Sequence, residues 1–310
     1  MDKHPLLIIL GPTASGKTRL AVSAAIALNG EIISADSRQV FTGMDIGTGK
    51  DLQEYTVNGA EVPYHLINIK AAGEQYNVNA FKEDFYTTLQ QLNEKARLPI
   101  VCGGTGMYIH TLLQNQQYTA VPVDQPFRDS LPVYDIDALR AKLAAYPQEV
   151  TAHADLSSAK RLVRAIEIAE YLQHHKLAEE VYPALDPLVV GLTGALELRR
   201  SRILKRLQHR FEEGLIEEVE GLLKSGVTAE KLIFYGLEYK FVTSYLQNEI
   251  SFAELQEKLY IAICQFAKRQ MTFFRKMEKD GVKINWLNAD LPADELHHQL
   301  IRLYSAEKNR

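Results

Sequence analysis

Apolar runs alternate with segments of helical periodicity along most of this chain. Residues 6–10 (LLIIL) are apolar throughout and end at Gly11-Pro12, the pattern of a strand covered on both faces. Over 17–28 the spacing turns helical, with Leu20, Ala24 and Leu28 on one stripe and Asn29-Gly30 as the stop. Residues 31–35, 64–69 and 99–102 read as further strands, with a helix over 80–96, and residues 188–193 as a fifth strand. Strands alternating with helices predict an α/β fold built on a parallel sheet with right-handed crossovers.

The middle of the chain breaks this rhythm. Prolines at 122, 126, 132 and 147 punctuate a stretch without strand signal, and a helical pattern follows over 157–174. The expectation is a helical insertion domain over 117–186, set into a P-loop core made of 1–116 and 187–310. The core's last part reads as helical over 196–277, then as a short strand over 282–287 and a terminal helix.

Composition changes the picture in two respects. The apolar run at 6–10 is too short for a signal peptide or a membrane span, and the two cysteines, Cys102 and Cys264, lack metal-ligand spacing. A cytoplasmic protein without membrane contact is expected. The formal net charge is −4, so any nucleic-acid partner must meet a local positive face rather than a generally basic surface.

The strongest motif is Gly11-Pro-Thr-Ala-Ser-Gly-Lys-Thr18, which satisfies the phosphate-loop pattern and lies between a buried strand and a helix start. Its glycines let the amides of residues 14–18 turn inward, and the helix N-terminus adds partial positive charge. Gly11, Ala14, Ser15, Gly16, Lys17 and Thr18 are therefore expected to hold a diphosphate or triphosphate. The Thr18 hydroxyl suits a Mg²⁺ that bridges the phosphates. The loop does not specify the reaction, since kinases, NTPases and other transferases hold phosphates in this way. Asp36, at the end of the second strand, is open to three readings: metal ligand, proton acceptor, or turn cap.

Together with Ser34-Ala-Asp36-Ser37 and Gly43-Met-Asp-Ile-Gly-Thr48, the loop resembles the tRNA dimethylallyltransferase (isopentenyltransferase) family. Further matches are His65-Leu-Ile, Gly103-Gly-Thr105-Gly-Met-Tyr108, Arg202-Ile203 with Arg206, and Ala267-Lys-Arg-Gln270. The chain departs from the pattern at Gly49-Lys50-Asp51, usually Ala-Lys-Pro, and at Asn68, usually Asp. His153 to Ala159 does not reproduce the usual His-Pro-Asn-Asp either.

The resemblance implies transfer of a dimethylallyl group from dimethylallyl diphosphate to the exocyclic amine of the adenosine 3′ of the tRNA anticodon. Asp36 would then accept the amine proton, with Thr13 near the reacting centre and Arg206 and Arg202 on the diphosphate. Ser37, Arg38, Gln39, Thr105 and Gly236 fall at tRNA-contacting positions, as do Lys160, Arg161 and Arg164 in the insertion. A monomer with Mg²⁺ and the anticodon stem-loop as partner is expected. A P-loop small-molecule kinase, an isopentenyltransferase acting on free adenine nucleotides, and a nucleotide-dependent switch protein stand as alternatives.

Arg199, Arg202, Arg206 and Arg210 recur at steps of three and four on one helix face. Glu212, Glu213, Glu217 and Glu218 nearby offer intrahelical partners that would neutralise them.

Overall fold

A computed structural model of the chain describes residues 4–114, 116–152, 154–177 and 182–308. Six parallel strands form the central sheet: β1 (His4–Leu10), β2 (Gly30–Ser34), β3 (Tyr64–His65), β4 (Leu98–Gly103), β5 (Leu185–Thr193) and β6 (Asn285–Asn288). Their order is β6-β5-β1-β4-β2-β3. β1 runs through the middle, with Leu7 opposite Ile100 of β4 and Leu188 of β5.

The unbroken apolar run of β1 follows from its place. Leu7 and Ile9 enter one core layer, with Leu20, Ala24 and Val190. Leu6, Ile8 and Leu10 enter the opposite one, with Phe81, Phe85 and Phe274. Successive side chains point to opposite faces, so a strand with helices on both faces has no polar side to show.

The first layer is covered by α1 (Lys17–Leu28) and α13 (Ala293–Lys308). α2 (Val78–Glu94) and α3 (Gly106–Gln114) contribute to the second. The helix expected from residue 80 starts at Val78, because the Asn77 side chain accepts from the amides of Asn79 and Ala80.

The strand expected over 64–69 stops at His65. Leu66 and Asn68 both have positive φ, which breaks the extended run. Asn68 is held there by its side-chain oxygen, which accepts from the Lys50 ammonium. Likewise the last strand covers 285–288 rather than 282–287.

The chain divides into two compact units, Met1–Gln114 with Pro183–Arg310, and Asn115–Tyr182. The second unit contains α4 (Gln125–Asp129), α5 (Ile136–Ala144), α6 (Gln148–Thr151) and α7 (Ala159–His174), with no strand among its described residues. The expected insertion, 117–186, overlaps it closely but includes residues 153 and 178–181, which lie outside the described residues. Its core gathers Leu139, Leu143, Leu162 and Ile166. Glu167 is buried beneath them and accepts from Arg128 Nε and Nη2 at 2.8 and 2.7 Å, from Arg164, and from the Asp124 amide.

The helical C-terminal stretch of the first unit divides into α8 (Leu196–Glu212), α9 (Leu215–Lys224), α10 (Ala229–Tyr235), α11 (Leu237–Leu246) and α12 (Phe252–Lys279). A capping box of Ser251 and Glu254 starts α12. These helices build a third apolar cluster with Val40, Phe41 and Met44 from the tail of β2.

Candidate active site

The carboxyl edge of the sheet is where the loops after β1, β2 and β4 meet, and open α/β sheets hold ligands there. The phosphate loop turns between β1 and α1 with Gly16 at φ 79°, the left-handed region that glycine enters without strain. Ala14 is also left-handed, at φ 59°. Ser15 is buried, and its hydroxyl has no hydrogen-bond partner among the described residues. An unsatisfied buried hydroxyl in such a loop fits a phosphate oxygen or a phosphate-bound metal as its missing partner.

Lys17 lies in the wall of a cavity of about 1470 Å³ that Thr13, Thr18, Asp36, Arg38 and Thr105 also line. Burial pulls its ammonium below the usual lysine range, Arg206 adds to this, and the nearby Asp36 carboxylate opposes it. Cys102, behind the loop at the end of β4, has its thiol pushed up to about 12 by burial and behaves as a small core residue.

Asp36 follows β2 directly. One oxygen accepts from the Arg38 amide at 3.0 Å, which is the turn-cap geometry, and the residue lines the cavity. Cap and chemistry are thus compatible in one carboxylate. Thr105, between β4 and α3, accepts from the Ser37 amide at 3.1 Å and donates its own amide to Ala35 O at 3.2 Å. The two loops approach so closely that a Cβ on Gly103 would strike the Ala35 carbonyl. Gln39 accepts from Ser34 Oγ at 2.9 Å and donates to Gly49 O at 3.0 Å, so its amide braces the next loop.

That next loop, 43–51, is held from several sides. The Glu218 carboxylate accepts from the amides of Asp45, Ile46 and Gly47 at 2.7 to 2.9 Å, and from the Tyr239 hydroxyl at 2.7 Å. Lys50 is 1% exposed and donates to Phe41 O at 2.7 Å, to Asp45 Oδ1 at 2.5 Å and to Asn68 Oδ1.

Glu218 is therefore a loop clasp, not an intrahelical partner of the α8 arginines. Three of those arginines pair elsewhere. Arg206 Nη2 donates to Gly49 O at 3.1 Å and to Asp51 Oδ2 at 2.5 Å. Arg202 pairs with Asp290 at 3.2 Å and Arg210 with Glu238 at 2.9 Å. Arg202, Arg206 and Arg210 all line the cavity. Burial, with the charge of Arg206 beside it, lowers the Arg210 pKa, although a guanidinium remains charged.

Gly236, between α10 and α11, also belongs to the cavity wall. Two residues before it, Phe234 is 72% exposed and the Arg38 guanidinium lies over its ring at 5.5 Å. Phe274 and Tyr235 are core residues, and Phe234 is the solvated ring. No sequence signal separated them, because neighbouring aromatics differ only in which helix face turns inward.

Within the second unit, Lys160 and Arg161 are exposed on the first turn of α7, Arg161 with Asp155 at 3.0 Å. Arg164 is different. Its guanidinium is tied to Glu167 and to the carbonyls of Tyr118 and Val121 at 3.0 and 2.7 Å. Its donors hold this unit together, so the charge available to a partner on this helix is that of Lys160 and Arg161.

A family model described as IPP transferase matches residues 39–277. The chain belongs to that family. It is 47% identical over 303 residues to a protein of Phocaeicola vulgatus named tRNA dimethylallyltransferase 2, covering 98% of both chains. A Porphyromonas gingivalis protein of the same name is 49% identical over 301 residues, covering 97% of this chain and 99% of that one. The crystal structure of the full-length tRNA isopentenylpyrophosphate transferase from Bacillus halodurans is similar with a TM-score of 0.71 and 30% identity, covering 99% of each chain.

Proposed function

We propose that this chain prenylates tRNA, moving a dimethylallyl group from dimethylallyl diphosphate to the exocyclic amine of the adenosine 3′-adjacent to the anticodon. The observation that carries the reading is the shared cavity, lined at once by the phosphate loop, Asp36 and Arg206. A phosphoryl-transfer enzyme would need the same loop, but family membership favours prenyl transfer.

In this reading the amine nitrogen forms a bond to the allylic carbon as the carbon–oxygen bond breaks, and the electron pair leaves with the diphosphate. Lys17, Ser15, the loop amides from Ala14 to Thr18 and Arg206 stabilise that growing charge, with Arg202 at the outer edge. The amine proton passes to Asp36, with Thr13 beside the reacting centre. Among the described residues no cluster of three His, Cys, Asp or Glu suited to a metal exists. The fitting protein donor is the Thr18 hydroxyl, so a Mg²⁺ would be carried in by the diphosphate's own oxygens. When bound it would neutralise charge on the leaving group.

The acceptor adenosine has to leave its stack, which a single-stranded anticodon loop makes inexpensive. Ser37, Arg38, Gln39, Thr105 and Gly236 would surround the extruded base. The exposed Phe234 ring under Arg38 supports base stacking nearby. Lys160 and Arg161 supply phosphate contacts, and the enzyme acts as a cytoplasmic monomer.

The test is incubation with undermodified tRNA, dimethylallyl diphosphate and Mg²⁺, read by mass. A gain of one dimethylallyl group on the tRNA is expected. ATP-dependent phosphorylation without that gain would sink the reading, and equal transfer to free AMP would reassign the acceptor.

A further inference from the structure

Gln270 sits on the inner face of α12, 8% exposed, at the end of the Ala267-Lys-Arg-Gln270 motif. A buried primary amide has both donors and acceptors to place, and leaving them unpaired is costly. Here the oxygen accepts from the Thr13 amide at 2.9 Å and the nitrogen donates to Gly104 O at 3.0 Å. The first partner belongs to the phosphate loop after β1, the second to the glycine turn after β4. One side chain from a distant helix therefore ties together the loops of two adjacent strands.

The two bonds have opposite sense, so only one orientation of the amide satisfies both. The approach is close, since a Cβ on Gly104 would fall against Gln270 Nε2. The Thr13 amide is committed to Gln270, which leaves the phosphates to the amides that follow it. From Gly104 the connection continues through Thr105, whose hydroxyl accepts from the Ser37 amide at 3.1 Å, to the adjacent Asp36. The holder of the leaving group and the proton acceptor are thus linked through Gln270.

Resting on the prenyl-transfer reading above, we infer that Gln270 is a positioning residue that sets the distance and angle between the diphosphate cradle and the Asp36 side of the cavity. In-line displacement requires the nucleophile and the allylic carbon to meet within a narrow geometry, and a misplacement of about 1 Å costs on the order of 10²-fold in rate. In that reading the diphosphate is held by the Ala14–Thr18 amides, Lys17 and the α8 arginines, whereas Gln270 bonds to the Thr13 amide and Gly104 O. Loss of the bridge therefore acts on turnover rather than on affinity.

The experiment compares wild type, Gln270→Met and Gln270→Glu for single-turnover dimethylallyl transfer to tRNA, inorganic pyrophosphate affinity by calorimetry, and melting temperature. Methionine keeps the length and loses both bonds. Glutamate keeps an acceptor for Thr13 but sets an oxygen against the Gly104 carbonyl, unless its acid form donates there. Gln270→Met is expected to lower the rate by about tenfold or more with pyrophosphate affinity held within about threefold. Gln270→Glu is expected to recover, relative to wild type at each pH, as the pH falls and its carboxyl protonates. A folded Gln270→Met enzyme with the wild-type rate overturns the inference alone. So does a rate loss matched by an equal loss of pyrophosphate affinity, or a Gln270→Glu deficit that pH does not relieve. An inert wild-type control overturns the prenyl-transfer reading and the inference with it.

Discussion

Replacing Asp36 by alanine is expected to lower turnover by about 10²-fold, because the amine then loses its positioned proton acceptor. Pyrophosphate affinity should change little, and calorimetry beside single-turnover transfer separates the two effects. A loss of less than about tenfold in turnover would leave Asp36 as a turn cap for Arg38 and nothing more. Lys17 gives a pH dependence. Burial holds its pKa below the ordinary lysine value, so between the folded and unfolded pKa values the unfolded chain binds more protons, and stability rises with pH in that window. A diphosphate beside Lys17 favours the ammonium and raises its pKa again. Pyrophosphate binding should therefore take up protons at alkaline pH, and should weaken as pH rises through the depressed Lys17 pKa. Calorimetry in two buffers of different ionisation enthalpy checks this, and absence of proton uptake would remove Lys17 from the phosphates. At this scale the phosphate loop was legible, because its chemistry depends on a contiguous stretch. The partners of Arg202, Arg206 and Arg210 were not, because Asp290, Asp51 and Glu238 are far from them in sequence.

Among the elements, helix α7 carries the clearest test of tRNA contact. Changing Lys160 and Arg161 together to alanine should weaken tRNA binding and reduce the slope of log affinity against log salt by about 1 to 2. Pyrophosphate affinity should stay as it was. The exposed Arg161–Asp155 pair adds little to stability, so the double variant should fold normally. An unchanged salt slope in a folded variant would exclude this helix from the interface. Strand and helix existence followed from periodicity in the sheet core, where burial on two faces leaves a continuous apolar run. Element ends followed less well. Residues 66–69 looked like strand, but their conformation answers to the buried Lys50, which draws the Asn68 side chain to it. Such a claim from one loop on another leaves no periodic trace.

For the whole molecule, a formal net charge of −4 means that a polyanionic partner has to meet local cations. The net value does not say where they stand. Chelating divalent metal is expected to stop prenyl transfer without moving the melting temperature, since the described residues contain no metal cluster that could hold the fold together. A coincident fall in melting temperature would point to a resident structural ion instead. The sequence by itself determined the parallel α/β core, the helical middle segment and the phosphate loop, because each rests on short-range spacing or on a contiguous motif. Tertiary structure alone decided that Glu218 clasps the loop at 45–47, that Lys50 lies buried beneath it, and that Gln270 bridges Thr13 to Gly104. The physical reason is common to all three. A polar side chain on a helix face or in a loop can be solvated or buried with equal ease in sequence terms, and only the packing of distant elements supplies the groups that satisfy it.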